Sequence, residues 1–188
     1  MATAPAAEYK AADRDNKDHD EAMTGTGAED RGKVLEAQDF ARAVAADARL
    51  LGLDLGTKTL GLALSDVTRT IASGLATLPR TKFSDDARRL LELAAEHGVG
   101  GFVIGLPVNL NGTEGRRAQA TRAFARNLGR LAPLPILLWD ERLSTAAAER
   151  SLLEADASRR RRAAVIDKVA ATLILQGALD RLKRFDGT

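Results

Sequence analysis

The chain has 188 residues, of which 45% are hydrophobic, so it can fill the core of one ordinary domain that carries an extension. It has no cysteine and only two histidines, which excludes disulfide bonds and argues against a typical zinc site. No stretch approaches the roughly 18 consecutive apolar residues of a membrane span, and the N-terminus lacks the apolar core of a secretion signal. We therefore expect a cytoplasmic protein with no membrane partner, in which any metal ion is held by oxygen atoms.

Charge is divided unevenly along the chain. Residues 1–48 hold 6 Lys and Arg against 11 Asp and Glu, a net charge of −5, whereas residues 49–188 hold 22 against 15, a net charge of +7. The basic part favours polyanionic partners, nucleic acid above all. Residues 1–32 have almost no large apolar side chain, which predicts disorder, and residues 33–48 have the loose apolar spacing of a short helix. We take residues 1–48 as an N-terminal extension and residues 49–188 as one domain.

The domain begins with a predicted β-hairpin over residues 50–66, with its turn at residues 56–59. Because strand residues alternate between faces, the leucines at 51, 53 and 55 share one face and Asp54 lies on the other. A carboxylate in an apolar strand needs a hydrogen-bonding partner, a counter-charge or a metal ion. The alternative is an aspartate that accepts hydrogen bonds from the amides of the turn around Gly56 and Thr57.

The middle of the domain alternates strands and helices. A third strand is expected over residues 70–78, and then a helix that has Ser84 as its N-cap and ends at Gly98. The runs GFVIGLP at 101–107 and PILLW at 135–139 are typical of strands buried on both faces, with a helix expected over residues 116–130 between them. The loop at 107–115, rich in Asn and Gly, could shape a site or donate amides to phosphate, although its composition is also that of a simple turn.

Two acidic residues, Asp140 and Glu141, directly follow the strand PILLW, and Arg142 comes next. Open α/β sheets build their sites at the C-terminal ends of parallel strands, because the loops diverge there. Adjacent strand residues point to opposite faces, so we do not expect both acids to serve one metal site equally. The alternative is an acidic pair at the start of a helix, balanced by Arg142.

The last two predicted helices are separated by a linker that holds four consecutive arginines. Ser144 is expected to cap a helix that extends to about residue 155, and a final amphipathic helix covers residues 163–184. In this helix Asp167 shares a stripe with Ala170 and Ile174 that would face the sheet, where a carboxylate is out of place. The alternative is a looser surface ion pair with an arginine such as Arg162. The element order βββαβαβαα predicts an α/β fold with a mixed sheet and helices on both faces.

Three acids on separate elements, Asp54, Glu141 and Asp167, form the candidate catalytic and metal-binding set. Oxygen clusters of this kind suit Mg²⁺ or Mn²⁺, and two such ions about 4 Å apart can clamp both oxygens of a phosphoryl displacement. Nearby basic residues could neutralise phosphates, although charge runs are often only solvated surface. The candidates for nucleic-acid contact are Lys58, Arg142, Arg159, Arg160, Arg161, Arg162 and Lys168.

Four segments closely resemble, in this order, the YqgF (RuvX) family of pre-16S rRNA nucleases, which are also described as Holliday-junction-resolvase-like: GLDLGTKTLGLALSD, GLPVNLNGTEG, LLWDERLST and SRRRRAAVIDKVAATLILQGAL. The resemblance covers about residues 49–184. It implies an RNase H-like fold, with the first three strands antiparallel and the later ones parallel, a cytoplasmic location and maturation of the 5′ end of 16S rRNA. It also implies that the family's acidic residues fall on Asp54, Glu141 and Asp167. Leu55 stands where many relatives have an aromatic residue, which changes the packing behind Asp54.

Other interpretations compete with this one. The segment LGLDLGTK also resembles the phosphate-binding hairpin of actin-like ATPases and sugar kinases, but those enzymes need two such domains and residues 49–188 supply one. A non-catalytic RNA-binding factor for ribosome assembly would gain nothing from three carboxylates, which repel phosphates unless a metal is present. The sequence leaves open whether the substrate is pre-16S rRNA or branched DNA, because recognition of the 2′-hydroxyl depends on site geometry. It is also compatible with a monomer or a homodimer.

Overall fold

The computed structural model describes residues 32–143 and 159–185, with side chains except at residues 159–165. The disorder predicted for residues 1–32 falls almost entirely outside this part of the chain, and so does the helix expected from Ser144 to about residue 155. In the two described segments, no helix combines the length and the apolar composition that crossing a membrane requires.

A single mixed sheet of six strands forms the centre of the described structure, in the order β1-β6-β5-β2-β3-β4. The hairpin partners β2 and β3 are antiparallel, as are β3 and β4, whereas β5 and β6 run parallel to their neighbours. The expected mixed sheet, antiparallel first and parallel later, is therefore confirmed. The strands are β1 (Val34–Leu35), β2 (Arg49–Leu55), β3 (Thr59–Ser65), β4 (Ala72–Pro79), β5 (Val99–Leu106) and β6 (Ile136–Asp140).

Helices cover both faces of the sheet, as expected. They are α1 (Ala37–Ala43), α2 (Phe83–His97), α3 (Arg116–Leu131) and α4 (Arg159–Leu182), and a 3₁₀ turn (Glu141–Leu143) follows β6. One hydrophobic core lies between the sheet and helices α2 and α3, and it includes Leu51, Leu53 and Leu55. A second core lies between the other face and helices α1 and α4, and it includes Leu50. The predicted alternation along β2 is therefore confirmed.

Helix α2 begins differently from the prediction. Ser84 is not its N-cap, because the helix begins at Phe83, and Lys82 at the N-cap position makes no side-chain hydrogen bond. Instead, Asp86 reaches back from inside the helix, and its Oδ1 accepts hydrogen bonds from the backbone N and the Oγ1 of Thr81, at 3.0 and 2.9 Å. The predicted end is confirmed, because Gly98 adopts the left-handed conformation with φ of 64°.

The four arginines from 159 to 162 were expected in a linker, and this expectation is wrong. They form the first turn of α4, which begins at Arg159. Arginine is among the better helix formers, and no Gly or Pro interrupts the chain between these arginines and the alanines that follow. The charge run therefore continues directly into the helix that carries Asp167.

The segment before β2 packs onto the domain. Strand β1 pairs in parallel with β6 at the edge of the sheet, and α1 buries Phe40 and Val44 in the core that it shares with α4. The described residues that precede position 49 are therefore a structural part of the α/β unit, although we assigned residues 1–48 to an extension.

Candidate active site

Asp54 lies in the centre of the sheet, on the face that α4 covers. Its side chain is only 3% exposed. Gly52 lies on the same face two residues earlier, where an added Cβ would come within 2.7 Å of the Cβ of Leu175 in α4. This close approach of helix and strand leaves Asp54 beneath the preceding turns of α4, away from bulk water.

Asp167 lies directly above the strand next to Asp54. Gly61 is the residue opposite Asp54 in the β2–β3 pair, and a Cβ added there would overlap the backbone carbonyl of Asp167 and lie 3.1 Å from its Cβ. The Oδ2 atom of Asp167 is buried and has no hydrogen-bond partner in the described part of the chain. A buried carboxylate oxygen without a donor is costly, so this position favours a cation.

Glu141 reaches the same face from the other side of Asp54. It begins the 3₁₀ turn after β6, it is 8% exposed, and its Oε1 would lie 2.8 Å from a Cβ added at Gly105 in β5. Strand β5 lies next to β2, with Leu53 paired to the residue before Gly105. Asp167, Asp54 and Glu141 therefore lie over three adjacent strands, β3, β2 and β5, on the side of α4.

The oxygen atoms of Asp54, Glu141 and Asp167 suit a hard divalent cation, although the three carboxylates are not arranged as a complete metal site. Among the described side chains, no group of three His, Cys, Asp or Glu residues is arranged to hold a metal ion. Carboxylate oxygens, such as the buried Oδ2 of Asp167 that has no donor, are the ligands that Mg²⁺ and Mn²⁺ take.

Asp140 lies on the opposite face from Glu141, as the alternation along β6 predicts. It pairs with Arg142, whose Nη2 lies 2.6 Å from Oδ2 of Asp140 and whose Nε lies 3.0 Å from both carboxylate oxygens. The hydrogen bonds from the Arg142 guanidinium hold the pKa of Asp140 below its ordinary value, and they raise the pKa of Arg142. Most of the charge of Arg142 is therefore balanced within the protein, and its Nη1 also donates to the carbonyl of Asn109 at 3.5 Å.

The other basic candidates lie on elements that also carry or adjoin the acids. Lys58 is exposed in the turn that joins the strands of Asp54 and Gly61, and half-buried Lys168 follows Asp167 in α4. The backbone of residues 159–162 lies in the first turn of α4, but the side chains of Arg159, Arg160, Arg161 and Arg162 lie outside the described part.

Two further arginines, which the sequence did not single out, line a cavity of about 120 Å³ beside the β2–β3 turn. Arg80 directly follows β4, and Arg117 lies in the first turn of α3. The two are far apart along the chain and come together only because α3 packs beside this turn. No motif spacing could have indicated the pair.

Comparison with known proteins is decisive for the family. Residues 48–181 match the sequence model of the family described as "RuvX: Holliday junction resolvase". A relative from Rhodobacter capsulatus is 62% identical over 144 residues, which cover 77% of this chain and 91% of the relative. A relative from Cereibacter sphaeroides is 61% identical over 145 residues, with the same coverage of 77% and 91%. Both are named "Putative pre-16S rRNA nuclease". The chain belongs to the RuvX family.

This RuvX chain is therefore a nuclease, an enzyme that hydrolyses phosphodiester bonds of a nucleic-acid substrate. Solved structures of similar fold include Thermus thermophilus RuvC in complex with a Holliday junction, at a TM-score of 0.46 and 14% identity, over 71% of this chain and 95% of that one. The yeast mitochondrial Holliday junction resolvase follows at a TM-score of 0.43 and 13% identity, over 80% and 87%. Likenesses this remote do not bear on activity.

Proposed function

We propose that this RuvX protein is a cytoplasmic nuclease that matures the 5′ end of pre-16S rRNA, with Mg²⁺ or Mn²⁺ held by Asp54, Glu141 and Asp167. The names of the curated relatives support the substrate. The arrangement of the three carboxylates over adjacent strands, beneath one helix, is the observation that carries the site.

Two glycines make this arrangement sterically feasible. Gly61 lies opposite Asp54 and lets the backbone of α4 approach the sheet at Asp167. Gly105 leaves room for the carboxylate of Glu141 above β5, where a Cβ would lie 2.8 Å from Oε1 and 2.5 Å from the Cδ1 of Ile174. A side chain at either position would fill the space that the acids need.

The chemistry follows from the residue types present. A divalent cation bound by these carboxylates would supply Lewis acidity toward the phosphoryl oxygens and lower the pKa of water. The three carboxylates hold and orient the ion, and the apolar contacts of α4 limit the access of bulk water to Asp54. Lys58 and Lys168, on the elements next to the acids, add positive charge toward the backbone of the bound strand, as would the arginines at 159–162.

Branched DNA is the second candidate substrate, because the matched family is described as a Holliday junction resolvase. A non-catalytic role in ribosome assembly is the remaining alternative. The three possibilities differ in which substrate is cut and in whether the acids matter.

The test compares Asp54→Asn, Glu141→Gln and Asp167→Asn with Asp140→Asn, which changes the charge equally but on the opposite face. We expect each of the three to lower Mn²⁺-dependent cleavage of a pre-16S rRNA fragment by roughly 100-fold or more. Asp140→Asn should stay within roughly tenfold of wild type, because Asp140 pairs with Arg142 and does not face α4. A four-way DNA junction is assayed in parallel, and circular dichroism checks the fold.

A second readout does not depend on cleavage. Mn²⁺ should raise the melting temperature of the wild type and of Asp140→Asn, but not of the three other variants, because a ligand that binds only the folded state stabilises it. Cleavage that survives in Asp54→Asn or in excess chelator would contradict the proposed mechanism. Preferential cutting of the junction would favour the resolvase instead.

A further inference from the structure

The cavity beside the β2–β3 turn lies on the face opposite the acids. It is bounded by Leu55 and by the turn on one side and by the first turns of α3 on the other, and its volume is about 120 Å³. Leu55 belongs to the core beneath α2 and α3, whereas its neighbour Asp54 faces α4. The cavity thus begins one residue beyond the candidate metal ligand, around the end of the same strand.

The side chain of Arg80 lines this cavity and is held in place by three contacts. Its Nη1 donates to the carbonyl of Gly56 at 3.0 Å, and its guanidinium lies 5.9 Å from the centre of the Phe124 ring. The Nε atom is 3.9 Å from Oδ2 of the buried Asp86, which balances part of the charge. Arg80 therefore shapes the cavity and retains only part of its attraction for an anion.

Arg117 supplies the charge that is not balanced. It lines the cavity from the first turn of α3, and its side chain makes no hydrogen bond or ion pair with any residue in the described segments. The nearby Glu114 is already engaged by Arg122, at 2.8 Å from Oε2 to Nε. An arginine without a partner at the wall of a cavity is suited to bind a phosphate through paired N–H groups.

Thr121 adds a hydroxyl to the same wall. The residue is 3% exposed and lines the cavity, yet its hydroxyl makes no hydrogen bond within the described part of the chain. Helical threonines usually donate to the carbonyl one turn back, whereas the hydroxyl of Thr121 makes no such bond and remains available to a ligand in the cavity. A ligand oxygen in the cavity would accept this hydrogen bond.

We propose that this cavity binds a phosphodiester group of the substrate strand, next to the one that is cut. The guanidinium of Arg117 and the hydroxyl of Thr121 contact the phosphate, and Arg80 fixes the wall. The strand would pass from the acids over the exposed turn at Thr57 and Lys58 and into the cavity. This proposal rests on nucleic acid as the substrate, but it is tested by binding alone.

The test is the affinity for a short fluorescein-labelled single-stranded RNA, measured by anisotropy in excess chelator so that no cleavage occurs. Arg117→Ala is compared with Arg116→Ala, which removes the same charge from the neighbouring position in α3 but does not line the cavity. We expect Arg117→Ala to weaken binding about tenfold and to lower the slope of log K against log salt by about 1. Arg116→Ala should weaken binding less than about threefold. Equal effects of the two variants would overturn the proposal.

Thr121→Val tests the hydroxyl without changing charge or shape. We expect weaker binding with an unchanged salt slope and no fall in melting temperature, because no hydrogen bond within the protein is lost. Thr121→Ser should restore the affinity. Wild-type affinity in Thr121→Val would mean that the hydroxyl does not contact the strand, and the proposed contact set would be wrong.

The source of the phosphate is tested with RNAs that differ only at the 5′ end. Equal affinity of wild type for 5′-phosphorylated and 5′-hydroxyl RNA, with the same loss in Arg117→Ala, supports an internal phosphodiester. A preference for the 5′-phosphate that Arg117→Ala abolishes, or competition by millimolar inorganic phosphate, would show a terminal or free phosphate site instead. Because these binding measurements need no cleavage, their outcome would be the same if the metal site were inactive.

Discussion

At the scale of single residues, the candidate site depends on two glycines without side chains as much as on its three acids. The carboxylates of Asp167 and Glu141 reach the face of Asp54 because Gly61 and Gly105 carry no side chain. A larger residue at either position would push α4 or the 3₁₀ turn away from the sheet. Sequence patterns could identify the acids but not the role of these glycines, since that role depends on a contact with α4, far along the chain.

Gly61→Ala tests this dependence. The added Cβ would overlap the backbone of Asp167, so we expect a loss of about 1–3 kcal/mol in the free energy of unfolding and a large loss of cleavage. Gly74→Ala is the matched control, because Gly74 faces the same helix but its Cβ would meet Lys168 and Thr172 no closer than 3.4 Å. Both changes reduce the entropy of the unfolded chain alike, so the difference in stability between the two variants reports the steric overlap at position 61. Urea unfolding and cleavage assays measure it, and equal stabilities of the two variants would refute the steric argument.

The residue patterns predicted the faces of the acids well. Alternation along β2 put Asp54 opposite the three leucines, and alternation along β6 separated Asp140 from Glu141. Whether Asp54, Glu141 and Asp167 bind metal stays a prediction. The arginines of the cavity could not be found in this way, because Arg80 and Arg117 meet only through the packing of α3.

At the scale of elements, the sequence predicted strands better than the starts of helices. Strand runs are defined by their own apolar residues, whereas the start of a helix depends on which nearby side chain satisfies the first free N–H groups. Ser84 had the residue type of an N-cap, but Asp86 bonds to Thr81 instead. The arginines before Ala163 likewise joined α4, because charge at a helix start is tolerated when the residues favour helix.

The loop between β3 and β4 gives a prediction about pH. Asp66 accepts hydrogen bonds from the backbone N–H of Ile71 and Thr70, at 2.8 and 2.7 Å, and from the hydroxyl of Thr68, and these bonds lower its pKa to about 2. A depressed folded-state pKa means that the stabilisation is complete above the unfolded value, near 4, and is lost as the pH falls through about 2.

Asp66→Ala should therefore be less stable than wild type at neutral pH, and the difference should shrink as the pH falls from about 4 toward about 2. Urea midpoints of both proteins across this range measure the difference. A difference that stays constant down to the lowest pH would mean that the ionised carboxylate is not the stabilising form.

At the scale of the whole molecule, the structured unit begins before the position that the sequence suggested. The short β1 and α1 have few residues each, so neither pattern is strong alone. Both gain stability by packing, β1 against β6 and the aromatic ring of Phe40 against the core beneath α4. Tertiary contacts of this kind outweigh weak local signals, and composition alone therefore places the boundary at residue 48.

The uneven charge gives the prediction at this scale. Residues 1–31 hold 4 Lys and Arg against 8 Asp and Glu, a net charge of −4, so the rest of the chain has a net charge of +6. The carboxylates of these residues compete with the phosphates of RNA for the basic side chains of the nuclease. Salt screens this electrostatic competition. A variant that lacks residues 1–31 should therefore bind single-stranded RNA several-fold more tightly at low salt, and the gain should vanish at high salt. A variant with residues 1–31 in scrambled order keeps the charge and should bind as weakly as the full chain. If the scrambled variant instead binds as tightly as the shortened one, a specific contact of this segment, and not its charge, weakens RNA binding.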